Sequence, residues 1–169
     1  QMCIRDSYPP IYFPQRTVRD TRFKLIVNLL QDRVNPVAQP KEPAVKRLPS
    51  YVTPTDLAAS TDEARQAYAT WKDAPPVELF DLENDPYEFK NLADRPEFAD
   101  VQKRLLAQLQ SWRQQTHDPL NDPARLAKLT REQDEQAEKY KKGSRSGAWE
   151  YRQYLYDDTC INSQGKSEP

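Results

Sequence analysis

The sequence predicts an α+β fold. A small antiparallel sheet of three to four strands carries a long packed helix, followed by an extended helical and irregular tail. Three observations predict it. Short runs enriched in β-branched and aromatic residues have strand length. One apolar stripe recurs at steps of three and four, the pattern of a buried helix face. The connections are rich in proline, with fifteen prolines against three glycines in 169 residues. That composition favours stiff, irregular links over glycine turns.

Tyr12 to Asp20 and Arg22 to Leu30 read as two strands. Their link, around Asp20-Thr21, is short enough for a hairpin. Pro14 fits the start or edge of the first strand, where a missing N–H is tolerated. Asn35 to Pro54 carries five prolines and reads as loop. Ser60 to Trp71 is expected to be helical, with Ser60 and Glu63 as a capping box and Ala64, Ala67, Tyr68 and Trp71 on one face.

Val77 to Leu82 is the third strand. Alternation puts Val77, Leu79 and Asp81 on one face and Glu78, Phe80 and Leu82 on the other. Asn84-Asp85-Pro86 predicts a turn, with Asp85 bonding nearby backbone and Pro86 fixing φ. Asp94 with Glu97 is a second capping signal, and Pro96 falls in the first turn. The long helix then buries Phe98, Val101, Leu105, Leu109 and Trp112. Thr116-His117-Asp118-Pro119 ends it. Asp122 and Pro123 open another helix, mostly charged beyond Thr130, which Gly143 ends. A fourth strand has three readings: within Tyr8 to Tyr12, within Ala148 to Tyr156, or absent.

Charge excludes some function classes. There are 25 Lys and Arg against 26 Asp and Glu, and the net charge is −1. From Asp122 onward nine basic residues face nine acidic ones. No basic arm is present to hold nucleic acid. No apolar run reaches the roughly 20 residues that span a bilayer. Cys3 and Cys160 lack CxxC spacing, and His117 is the lone histidine, which argues against a zinc site.

Three stretches together resemble the C-terminal region of sulfatases. Glu78 to Glu88 (ELFDLENDPYE), continued by Asn91-Leu92, is similar to the family pattern E-L-Y-D-L-x-x-D-P-x-E-x-x-N-L. Phe13 to Arg19 with Arg22 to Ile26 resembles its Y-P-x-R-x-V-R…R-x-K-L-I hairpin. Leu109 to Pro119 (LQSWRQQTHDP) resembles L-x-x-W-x-x-x-T-H-D-P, which leans toward heparan N-sulfatase-like members. The resemblance covers about residues 12–119. It divides the chain into residues 8–119 as a sulfatase C-terminal subdomain and residues 120–169 as a charged helix and tail. Residues 1–7 have two readings, a non-native leader or an ordinary frayed terminus.

The resemblance implies a formylglycine made from the Cys or Ser of a C/S-x-P-x-R motif, and a calcium ion. Dispersed negative charge on a sulfate group calls for surrounding cations, and an oxygen-ligated hard ion suits that task. Neither cysteine of this chain lies in such a motif. No catalytic or metal residue is therefore assigned here, and calcium and formylglycine are expected in a catalytic domain outside this chain. The implied partners are that N-terminal sulfatase domain and a sulfated glycan. A periplasmic or extracellular location is implied by the resemblance alone.

Arg16 has two readings, holding an anionic glycan at the cleft or pairing with a carboxylate of the Glu78–Leu82 region. Glu78, Asp81, Asp85, Pro86, Glu88, Asn91, His117 and Asp118 are expected as structural motif residues. Asp85 and Glu88 are read as a turn residue and a helix-approach cap rather than a metal pair. His117 is expected to close the helix C-terminus, where a cationic ring is favoured. Trp149, Tyr151, Tyr154 and Tyr156 are expected to pack on the domain, with sugar stacking as the other reading. Two functions follow: a sulfatase fragment that completes a fold and flanks a cleft, or a free-standing α+β interaction module.

Overall fold

The computed structural model describes residues 11–31, 33–38 and 51–142. The order is β1 (Gln15–Arg19), β2 (Phe23–Asn28), α1 (Pro54–Ala59), α2 (Asp62–Lys72), β3 (Val77–Asp81), α3 (Ala99–Gln115) and α4 (Pro123–Lys141). Single 3-10 turns at Pro96–Phe98 and Pro119–Asn121 lead into α3 and α4. The chain divides into two compact units, one ending at Trp112 and the other starting at Arg113.

The first unit is an α+β fold with strand order β1-β2-β3, antiparallel throughout. Thr17 pairs with Ile26, and Leu25 with Leu79. The β1–β2 hairpin closes on Asp20, whose carboxylate accepts from the backbone N–H groups of Arg22 and Phe23. Its other oxygen accepts from Arg104 of α3 at 2.6 Å.

Side-chain alternation gives the sheet two faces. Val18, Phe23, Leu25, Val27, Val77 and Leu79 face the long helix and meet Phe98, Val101, Leu105, Leu106 and Leu109. Leu25, Leu79, Leu105 and Leu109 are buried at its centre. Each contributes about 1.5–3 kcal/mol by leaving water. The other face carries Lys24, Ile26, Glu78 and Phe80.

Several expectations change. Tyr12, Phe13 and Pro14 are buried but lie ahead of β1 rather than in it. Among the described residues the sheet has three strands. Residues 8–10 and 148–156, which belong to the two placements read for a fourth strand, lie outside the described residues, as does Gly143. The proline-rich loop ends earlier than expected, because Thr53 and Asp56 form a capping box that starts α1. Ser60 caps nothing downstream: its hydroxyl donates to Leu57 O at the end of α1, and Thr61 accepts from Ala64 N to cap α2. Asp94 is not a cap either. Pro96 takes the first helical position and holds Arg95 extended, so Arg95 becomes the cap residue, without a side-chain bond.

Trp112 leaves the predicted stripe and is 49% exposed. The reason is length. The 17 residues of α3 run about 25 Å, whereas five- and six-residue strands cover about 17–20 Å. The last turns of α3 therefore outrun the sheet.

The second unit opens with a helix end of Schellman type. Asp118 N donates to Arg113 O at 2.9 Å, and His117 N to Gln114 O at 3.2 Å. His117 adopts φ 50°. Asp122 then caps α4 by accepting from Ala124 N at 2.8 Å, as expected. Leu120, Leu129 and Gln133 are buried. Gln133 lies inside the mostly charged stretch beyond Thr130. It follows Leu129 by four residues and so continues the inward stripe.

Candidate functional site

The turn after β3 is organised by Asp81. Arg22 grips its carboxylate with Nε at 3.0 Å and Nη2 at 2.6 Å. Asp81 also accepts from Glu83 N and from Asn84 Nδ2, and its carbonyl accepts from Asn84 N and Asp85 N. The Arg22 guanidinium is the main reason that the Asp81 carboxyl sits well below the usual carboxylate range. The arginine that pairs with the Glu78–Leu82 region is thus Arg22. Arg16 projects on the α3 side of β1, and its Nη1 donates to Gln15 O at 2.9 Å.

Asp85 holds the turn from further away than expected, accepting from Lys90 N at 2.7 Å. Pro86 lies in the turn between them. Glu88 is not a helix cap. It takes a left-handed conformation, φ 58°, and both its oxygens accept from Lys24 Nζ at 2.6–2.8 Å. The left-handed kink swings the carboxylate back over the sheet, where Lys24 waits. Among the described residues no group of three or more His, Cys, Asp or Glu could hold a metal ion.

Asn91 covers the open edge of the sheet. Its Oδ1 accepts from Leu79 N at 2.9 Å and Ala93 N at 3.0 Å. Its Nδ2 reaches Val77 O at 3.4 Å, and Leu92 N donates to Leu79 O at 2.8 Å. These are the outward backbone groups of β3, which an edge strand leaves unpaired.

His117 and Asp118 belong to the second unit. Asp118 accepts from Arg113 Nε at 2.7 Å and from Leu120 N at 3.2 Å. Arg113 Nη2 also donates to Leu120 O at 2.8 Å. Both members of the Arg113–Asp118 pair are nearly buried. The Thr-His-Asp-Pro stretch is accounted for as a helix stop joined to a turn. The closure comes from backbone geometry and the Asp118 pair.

On the face of the sheet away from α3, a cleft of about 490 Å³ opens between β-strand side chains, α2 and the turn at Tyr87–Phe89. It brings together Glu78, Glu88 and Asn91 from the predicted set, but not Arg16. Sequence reasoning missed Lys24, Tyr68, Trp71, Tyr87 and Phe89 as neighbours. Tyr68 and Trp71 were legible as a helix face, and Tyr87 and Phe89 flank Glu88 within the motif stretch. Glu78 lies on the floor, where burial pushes its carboxyl up, against a bond from Asn28 Nδ2 at 2.8 Å that draws it down. Asn28 ties the strands together, since Gln15 Nε2 donates to its Oδ1 and its Nδ2 also reaches Pro75 O.

Comparison with known proteins gives the architecture its relatives. No family model matches. The N-sulphoglucosamine sulphohydrolase of Homo sapiens is 35% identical over 115 residues, 63% of this chain and 21% of that protein. The ulvan-active sulfatase of Formosa agariphila is 30% identical over 110 residues, 65% of this chain and 19% of that protein. Over these stretches the chain is similar to sulfatases. The sulfatase-like chain spans about a fifth of the length of each of these relatives. No helix among the described residues is long and apolar enough to cross a membrane.

Proposed function

We propose that the chain is the C-terminal part of a sulfatase acting on sulfated glycans. In this reading it completes the enzyme's fold and flanks the active-site cleft, and the catalytic core lies outside these 169 residues. The observation that carries it is likeness to two sulfatases over about two thirds of the chain, coupled to a shortage of sulfate chemistry within it. The chain has one histidine and no C/S-x-P-x-R motif around Cys3 or Cys160. The polar residues of the sulfatase-like turn hold structure: Asp81 pairs with Arg22, Glu88 with Lys24, and Asn91 bonds the β3 edge.

Calcium and formylglycine would act in the catalytic part, and no residue of this chain is assigned to either. An N-sulfated glucosamine unit is the finer proposal for the substrate, since the human relative carries that name and the Thr-His-Asp-Pro element leans the same way. Arg16 remains the candidate glycan contact of this reading.

The test has two arms. The 169-residue chain alone is expected to turn over neither N-sulfoglucosamine nor an aryl sulfate. The gene should continue upstream, in frame, into a region with C/S-x-P-x-R, and the joined protein should hydrolyse one of these substrates. Turnover by the chain alone, or a start codon immediately ahead of Gln1, overturns the proposal and favours a free-standing interaction module.

A further inference from the structure

The cleft between α2 and the outer sheet face has a recognition chemistry that sulfate hydrolysis does not use. Its walls are two aromatic pairs. Tyr68 and Trp71 on α2 have ring centroids 5.4 Å apart, and Tyr87 and Phe89 on the turn lie 5.8 Å apart. Tyr87 is 76% exposed, in a turn pinned by the Lys24–Glu88 pair. Lys90 and Glu63 join the turn to α2 at 3.1 Å. The aromatic walls are thus held apart by fixed elements.

The floor is a sheet face, so its backbone groups lie in the strand ladder and only side chains can address a ligand. Those side chains are rich in acceptors. Glu78 is 6% exposed and gives one oxygen to Asn28, while the other makes no hydrogen bond among the described residues. Glu88 supplies a second carboxylate. Lys24 is the cation among the lining residues, and it is engaged by Glu88. The lining therefore carries excess negative charge.

A ligand that fits must offer flat apolar faces to the aromatic walls and several donors to the carboxylates, without negative charge of its own. A sugar ring has C–H faces and outward hydroxyl groups. Sulfate beside Glu78 and Glu88 would place like charges together. The volume lies within the range of about 300–1,000 Å³ typical of small-molecule sites. We propose that this cleft binds an unsulfated pyranose ring, stacked between the aromatic pairs, with its hydroxyls donating to Glu78 and Glu88. The inference goes beyond the sulfatase reading and does not require it.

The test uses the full 169-residue chain with cellobiose and 6-O-sulfated cellobiose as probes, followed by calorimetry and by NMR shifts of the Trp71, Tyr87 and Phe89 signals. Cellobiose is expected to bind with a Kd of about 1 mM, and the sulfated form about tenfold more weakly. Tyr87→Ala, at an exposed position that leaves the fold intact, and Glu78→Gln, which preserves shape, should each weaken cellobiose about fivefold. Three results overturn the inference: no cellobiose binding up to about 50 mM, binding unchanged in Tyr87→Ala, or equal or tighter binding of the sulfated sugar. The last outcome would leave the sulfatase reading standing. Failure of the joined protein to hydrolyse sulfate would leave the cellobiose result untouched.

Discussion

Asn91 takes the place of a neighbouring strand with a single side chain. Leu79 is buried, so its outward N–H has no water to turn to, and Asn91 Oδ1 supplies the acceptor. Asn91→Leu keeps the size but removes that acceptor. It is expected to cost about 1–3 kcal/mol in urea unfolding, and a loss below about 0.5 kcal/mol would show that the edge is satisfied otherwise. Asp118→Ala strips the nearly buried Arg113 of its partner and removes the cap on Leu120 N. A loss of about 3 kcal/mol is expected. The motif residues were visible in the sequence as polar positions with fixed spacing. Their partners were not, because Arg22 lies 59 residues from Asp81 and Lys24 lies 64 from Glu88.

At the scale of elements, α3 illustrates how far periodicity reaches. Its stripe correctly selects Leu105 and Leu109 as core, yet the same rule overextends to Trp112. Leu105→Ala should cost about 2–5 kcal/mol by leaving a cavity against Leu25 and Leu79. Trp112→Ala should cost less than about 1 kcal/mol by the same thermal or urea melt. Equal losses would mean that Trp112 belongs to the core after all. The end of α3 offers a stabilising change. His117 holds a left-handed conformation that glycine adopts without a Cβ penalty. His117→Gly should raise stability by up to about 1 kcal/mol, and a lowered melting temperature would count against the backbone explanation.

For the whole molecule, two opposed groups of carboxyls set the response to pH. The backbone N–H of Phe23, then Arg104, then the N–H of Arg22 draw the Asp20 carboxyl from 3.8 to about 2, and Arg22 holds Asp81 low as well. Their contribution is fully present above the usual 3.8 and is lost as pH falls through the folded values. Glu78 acts in the other direction. Its folded value is raised above 4.5, so its charged form costs stability at neutral pH, and that cost is relieved as the group protonates on acidification. Stability should therefore peak at weakly acidic pH, falling below pH 3.8 and declining toward neutrality. In Glu78→Gln the decline toward neutrality should flatten while the acid limb remains. An unchanged neutral limb would show that Glu78 is not its cause.

The sequence by itself determined the α+β class, the three strands with their facing alternation, the long helix, the Asp122 cap and the sulfatase likeness of the motifs. All rest on local periodicity, turn residues or residue order, which are written within a few positions of one another. Helix starts were less legible: the sequence points to Ser60 as the cap of α2, whereas the hydroxyl that reaches a first-turn N–H is that of Thr61. The tertiary structure alone decided what the motif residues hold. It put Arg22 rather than Arg16 on Asp81, turned Glu88 back to Lys24, and set Asn91 against the β3 edge. It also assembled the aromatic cleft from α2, the sheet and a turn. Those pairings depend on which strands lie adjacent and which way each face points, and that information enters only when distant segments pack.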